Sequence, residues 1–300
     1  MVILAFEINA ALVRRLISRQ FPQWAGLGIE AVDLGGWDNR TFHLGDKMSV
    51  RLPNGEAYAA QVDKEQNWLP VFAPKLPLLI PTPLAMGKPD EGYPWNWSVY
   101  KWLGGENASL ENIDNLEQFA ASLAEFLLAL QSIDASNGPK AGRHNFFRGG
   151  NLAIYDLETR QAMKMLKEKI ELDFDLVSKV WIEALNSKWE SKNLWVHGDL
   201  SAANILINQG EISAVIDFGC LGVGDPACDL VIAWTFLSRE SRKVFCDNLS
   251  LDKDTRARAR GWAVWKSLIT IVKYMQVDKN KTQKAKDVLQ EVLIDYQNFA

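Results

Sequence analysis

The spacing of apolar and polar positions changes character several times along the chain. Residues 8–20 carry Ile8, Leu12, Val13, Leu16 and Ile17 at helical intervals, which predicts an amphipathic helix. Between 29 and 53 the period shortens. Ile29 to Leu34, Thr41 to Leu44 and Met48 to Leu52 form short runs, parted by turn residues at Gly35-Gly36, Asp38-Asn39 and Gly45-Asp46. That texture predicts three antiparallel strands joined by tight turns. Helical spacing returns over 56–71, where Ala59, Val62, Trp68 and Leu69 sit among charged neighbours. Proline-rich sequence (Pro70, Pro74, Pro77, Pro81, Pro83) then leads to strand-like pieces near 83–87 and 97–103.

Gly104-Gly105-Glu106 marks a boundary, because the sequence before it is strand-rich and the sequence after 113 is mostly helical. A strong helix is expected over 113–132, a glycine-rich loop over 137–151, helices to about 189, a compact strand pair within 194–217, and helices to the end. The expected fold class is α+β, with a small antiparallel β-rich lobe over 1–103 and a larger helical lobe over 104–300. Such a cleft suits chemistry that holds two substrates in line away from water.

Composition supports this outline. Three hundred residues exceed a comfortable single core. Hydrophobic residues at 48% and charged residues at 23% describe a folded, soluble chain rather than a disordered one. A formal charge of −4 and a pI near 5.6 argue against a nucleic-acid partner. Cys220, Cys228 and Cys246 are too few and too close to the C-terminus for a disulfide framework, and read as buried thiols in a reducing compartment. The apolar start of the chain ends too soon for a signal peptide, and no apolar run reaches membrane-spanning length. A cytoplasmic protein with no membrane partner is expected; oligomeric state is left open.

The chemistry concentrates in Leu194-Trp195-Val196-His197-Gly198-Asp199-Leu200-Ser201-Ala202-Ala203-Asn204-Ile205-Leu206-Ile207, followed by Ile216-Asp217-Phe218-Gly219. One apolar strand delivers Asp199 onto a loop, a second delivers Asn204 five residues later, and a third delivers Asp217. Magnesium favours hard oxygen ligands shared with substrate phosphates, a role that Asn204 and Asp217 fit. Asp199 fits the carboxylate that orients and deprotonates an attacking hydroxyl. His197 reads as a structural hydrogen-bonding residue at the base of the loop rather than a proton carrier.

Catalytic-loop Asp and Asn followed by Asp-Phe-Gly form the kinase signature. The form here, V-H-G-D-L-x-x-x-N-I-L-I then I-D-F-G, resembles the aminoglycoside-phosphotransferase family of kinase-like small-molecule enzymes. Gly198 stands where protein kinases normally carry Arg. Gly224-Asp225-Pro226, with Asp229-Leu230, is similar to a family segment that opens a helix; Asp225 and Asp229 read as a helix cap and a fold anchor, with direct substrate contact the minority reading. The resemblance implies a bilobal protein-kinase-like fold, ATP or GTP as phosphoryl donor, Mg²⁺ as cofactor and a small hydroxylated acceptor.

In the small lobe, Leu34-Gly35-Gly36-Trp37-Asp38-Asn39 resembles the nucleotide-covering loop, with Gly36 in the covering position, though it would also make a plain hairpin turn. Arg51 stands where the family usually places a phosphate-pairing Lys, and Glu65, fourteen residues on in the following helix, is its expected ion-pair partner. Val99 to Gly104 would form the hinge that meets the nucleotide base, with Tyr100 and Trp102 beside it; Trp102 packs either on the base or within the lobe interface.

The acceptor is open at this level. Aminoglycoside pockets are expected to be acidic, yet residues 251–300 hold six acidic side chains against ten Lys and Arg. A metabolite alcohol of choline, homoserine or sugar type, or a macrolide, is an alternative acceptor, and antibiotic resistance is one implied role. A catalytically silent kinase-like binding protein is a further alternative, weakened by the presence of Asp199, Asn204 and Asp217. Trp234, Trp262 and Trp265 either line an acceptor pocket or fill the helical core, and the 137–151 loop either faces substrate or merely connects.

Overall fold

The computed structural model describes residues 7–32 and 38–299. The chain begins with helix α1 (Ala10–Gln20), whose first turn is capped by Asn9, the side-chain oxygen accepting from the Leu12 amide at 3.0 Å. Its apolar stripe of Leu12, Val13, Leu16 and Ile17 lies against one face of a five-stranded antiparallel sheet. The strands are β1 (Ile29–Ala31), β2 (Asn39–Leu44), β3 (Met48–Pro53), β4 (Pro83–Gly87) and β5 (Trp97–Lys101), in the order β1-β2-β3-β5-β4. Strand alternation sorts β3 into two faces. Val50 and Leu52 join Val99 and Trp97 in the core under α1, and Arg51 points the other way, with Thr41 and Ser98 as its cross-strand partners.

Helix α2 (Glu56–Phe72) lies on that second face and ties the two halves of the molecule together. Glu65 reaches the sheet, whereas Leu69 and Phe72 belong to the larger apolar core with Ile80 and Tyr100. Phe72 and Trp68 meet the ring of Trp195 at centroid distances of 4.7 and 4.6 Å. Burying aromatic rings of this size dominates the energetics of such a junction.

The second half contains a short strand β6 (Glu106–Asn107), helices α3 (Leu116–Ser132), α4 (Asp156–Leu166) and α5 (Phe174–Asn186), and strands β7 (Leu194–Val196), β8 (Ile205–Asn208), β9 (Glu211–Val215) and β10 (Gly222–Gly224). Helices α6 (Ile232–Thr235), α7 (Arg239–Asn248), α8 (Lys253–Tyr274) and α9 (Lys279–Phe299) complete it. Instead of one strand pair within 194–217, β8 pairs with β9 and β6, and β7 pairs with β10. Both partners that the sequence reading missed, β6 and β10, are too short to show a period. Helix α8 is central, packed by α9, α5 and α4. Its Gly261 allows that approach, since a Cβ there would sit 2.5 Å from the Cβ of Ala184 in α5. No helix among the described residues is long and apolar enough to cross a membrane.

Candidate active site

Strand β7 is apolar and pinned to β10, so the chain leaves it at a fixed point and turns at Gly198. Gly198 has φ +84°, and a Cβ there would lie 2.3 Å from the Cys220 carbonyl oxygen. Only glycine fits, which accounts physically for the absence of the Arg found in protein kinases. The fully buried carboxylate of Asp229 accepts from the amides of His197 and Gly198, both at 2.7 Å. The ring of buried His197 bonds through Nε2 to the Ile216 carbonyl at 3.0 Å, packs on Phe218, and receives the Asp199 amide on Nδ1 at 3.3 Å. The Nε2–H tautomer satisfies both bonds. His197 and Asp229 therefore shape the loop, as the sequence suggested. Asp225 caps the following turn through the Ala227 amide and pairs with buried Arg258 at 2.7 Å, again a structural use.

Asp199 emerges from this scaffold half-exposed. Its backbone carbonyl accepts from Asn204 Nδ2 at 2.9 Å, which commits the amide nitrogen and leaves Oδ1 as the end that could coordinate a cation. Asn204 closes a 3-10 turn over Ala202–Asn204 just before β8, and its own carbonyl accepts from the Ile216 amide, placing Asp217 on the adjoining residue. Asp217 adopts left-handed backbone angles, φ 65° and ψ 67°, a conformation Asp tolerates better than most.

Across the cleft, Arg51 Nη2 donates to Asp217 Oδ1 at 3.0 Å, and its Nη1 lies 3.5 Å from Glu65 Oε1. Burial opposes the Arg51 charge, but Glu65 and Asp217 together hold its pKa above the ordinary value. Burial raises the Glu65 carboxyl, with Arg51 and the hydroxyl of Tyr100 working against that rise. The Tyr100 hydroxyl donates to Glu65 Oε2, so this buried ring supports the ion pair. Trp102 stands apart, half-buried, its ring 4.1 Å from that of His43. Gly36 lies outside the described residues.

Three further cations, none singled out by the motifs, approach the site. Lys64 Nζ, one residue before Glu65, donates to the carbonyls of Gly219 (2.7 Å), His144 (3.1 Å) and Leu221 (3.3 Å), fastening α2 to the Asp-Phe-Gly segment. Lys266 Nζ, from α8, lies 3.0 Å from Asp199 Oδ1. Arg148, from the glycine-rich loop, lies over the rings of Trp265 and Trp262 at 4.6 and 5.4 Å. Burial works against ionisation of Asp199, but Lys266, with Arg148 and His197, outweighs it and holds the carboxyl below its usual range. Asp199 is thus an ionised carboxylate in the field of a lysine. The only sequence hints of these cations were a single Lys inside the apolar run of α8 and the unusual loop.

Asp199, Arg148, Cys228, Trp262, Trp265 and Lys266 line a small cavity. Trp262 and Trp265 are at once core and wall, being 1% and 5% exposed, whereas Trp234 is buried elsewhere. A larger open groove beside Leu172, Leu176 and Leu293 lies between α5 and α9 and contains none of these groups. Among the described residues no three His, Cys, Asp or Glu form a metal cage. The carboxylate of Asp217 and the amide oxygen of Asn204 instead offer two hard oxygen donors, a set that fits Mg²⁺ completing its shell with phosphate and water.

Known proteins share this architecture. The structure of the GDP complex of an aminoglycoside 2'-phosphotransferase-IIIa superposes with a TM-score of 0.70 at 18% identity, covering 96% of this chain and 99% of that one. A macrolide 2'-phosphotransferase from Brachybacterium faecium gives 0.57 at 19%, covering 93% and 97%. At such identities the likeness establishes the fold: α+β, bilobal and kinase-like. In sequence, an aminoglycoside 3'-phosphotransferase of Escherichia coli is 29% identical over 58% of this chain, a match spanning 62% of that enzyme. One from Salmonella typhimurium is 22% identical over 69% of the chain and 75% of its own length. A family model matches residues 30–265, well over half of the chain, and the protein belongs to the phosphotransferase enzyme family (APH).

Proposed function

We propose that this protein transfers the γ-phosphoryl group of ATP or GTP to a hydroxyl of a small molecule, with Asp199 as the base. The observation that carries the reading is the convergence of Arg51, Asp217, Asn204 and Asp199 on one cleft from distant parts of the chain, linked by the 3.0 Å Arg51–Asp217 contact. In this mechanism Asp199 Oδ receives the proton of the acceptor hydroxyl. The hydroxyl oxygen forms the new P–O bond, and the bond from the γ-phosphorus to the bridging oxygen breaks, its electron pair leaving with the nucleoside diphosphate. Asn204 and Asp217 would hold Mg²⁺, which supplies neutralisation of charge on the phosphate oxygens. Arg51, kept charged by Glu65, would pair with the α- and β-phosphates, and Tyr100 would act through Glu65. The backbone at 102–104, with Trp102 beside it, would meet the base.

This reading divides the chain into a nucleotide lobe over 1–103 and an acceptor lobe over 104–300, and its triphosphate donor implies a cytoplasmic setting. Support for nucleotide and acceptor classes comes from relatives solved with GDP, ADP, kanamycin or gentamicin. The test is incubation with Mg-ATP and Mg-GTP over a panel of hydroxylated compounds, read by nucleotide consumption and product mass. Gain of one phosphoryl group on an acceptor oxygen is expected. Nucleotide that binds without Mg²⁺ dependence, with no acceptor modified, would favour a silent binding protein instead.

A further inference from the structure

The acceptor cavity is cationic. Its two positive groups, Lys266 and Arg148, face a single carboxylate in its wall, that of Asp199. Lys266 occupies Oδ1 of that carboxylate in the present state, and the space beside it, about 10 Å³, admits one water at most. An acceptor hydroxyl that approaches Oδ1 of Asp199 must displace Lys266, and an ammonium that leaves its carboxylate needs another counter-charge nearby.

Two more groups await a partner in the same wall. Arg148 Nη1 and Trp262 Nε1 are buried hydrogen-bond donors without an acceptor. An unmatched buried donor is costly, so a ligand oxygen that reaches either atom gains by filling it. The aromatic surface, meanwhile, is already taken. The Arg148 guanidinium covers Trp262 and Trp265, and Tyr155 stacks on Trp265 with centroids 4.1 Å apart. The Trp265 Nε1 donor is satisfied by Glu158. A quaternary ammonium would meet a cation where it needs an open ring face, and a polyamine would place its charges beside Lys266 and Arg148.

From these contacts, and resting on the phosphotransfer reading above, we infer that the acceptor is a small hydroxylated compound bearing an oxyanion, carboxylate or phosphate, bound between Arg148 and Lys266. Lys266 exchanges Oδ1 of Asp199 for the acceptor's anion, so binding the acceptor frees that oxygen of the base. The planar fork of Arg148 suits either oxyanion. Lys266 and Arg148 are positioning residues here, and Asp199 keeps the proton-transfer role.

The experiment compares acceptors matched in carbon skeleton: glycerol, glycerate and glycerol 3-phosphate; butane-1,4-diol and 4-hydroxybutyrate; and kanamycin as a polycation. The expected result is a kcat/KM for an anionic member at least about a hundredfold above its neutral counterpart. Arg148→Gln should raise the acceptor KM at least about tenfold with nucleotide KM unchanged, and Arg148→Lys should recover part of the loss. Equal or better turnover of a neutral or polycationic member overturns the inference and leaves phosphotransfer standing. If no member turns over, calorimetry decides, titrating glycerate and glycerol 3-phosphate into protein holding Mg²⁺ and a non-hydrolysable triphosphate. Saturable binding weakened by Arg148→Gln supports the inference, and absence of binding overturns it. Failure of the triphosphate itself to bind removes the phosphotransfer reading and this inference with it.

Discussion

At the scale of single residues, the catalytic loop is held by a few groups that tolerate no substitute. Gly198 combines a positive φ with a carbonyl 2.3 Å from where a Cβ would stand. Gly198→Ala should therefore destabilise the fold by roughly 2 kcal/mol or more, measured by urea unfolding. A second residue-scale prediction concerns pH. Lys266 helps hold the Asp199 carboxyl below its usual range, so the base stays ionised, and active, to lower pH than an unassisted aspartate would. The sign follows directly: Lys266→Met raises the pKa of Asp199, and the acidic limb of the kcat/KM profile moves up in pH. An unshifted limb would show that Lys266 does not govern the base. Motif spacing made Asp199, Asn204, Asp217 and the Arg51–Glu65 pair legible in the sequence. Lys266, Arg148 and Lys64 were not, because their partners are 67 or more residues away, or are ring faces and backbone carbonyls, and a linear pattern does not record these.

At the scale of elements, helix α2 decides whether the site is assembled. It carries Glu65 towards Arg51 in β3, Lys64 towards the Gly219 carbonyl, and Phe72 into the core around Trp195. Its start, its apolar stripe and the strands around it followed from period and turn residues. Asn9, Asn115, Asp173 and Asp252 mark helix starts by capping, as their residue types allow. The pairing of β7 with β10 was not legible, since three-residue strands have no measurable period and their register is set by the tertiary fold. The prediction at this scale uses the ion pair. Arg51→Ala removes the partner of buried Glu65 and the charge proposed to meet the phosphates. Nucleotide affinity should fall at least about tenfold, with Arg51→Lys restoring part of it. Equal affinities in all three proteins, by calorimetry, would assign the cation role elsewhere.

Across the whole molecule, the two lobes meet through Arg51 and Asp217, side chains 166 residues apart, and through the aromatic junction at Trp195. The same Asp217 is proposed to hold Mg²⁺ with Asn204, so lobe contact and metal binding share one carboxylate. Asp217→Ala should abolish the magnesium dependence of nucleotide binding, and a titration of nucleotide with and without Mg²⁺ checks this. A variant with undiminished magnesium dependence would place the ion on other residues.

The account rests above all on Asp199 as the base, and Asp199→Asn tests it most directly. The substitution keeps the size of the side chain and removes its charge and its capacity to take a proton. With the best acceptor in hand, nucleotide binding should persist while turnover falls by at least about a hundredfold. Near-normal phosphorylation of that acceptor by Asp199→Asn would contradict the account.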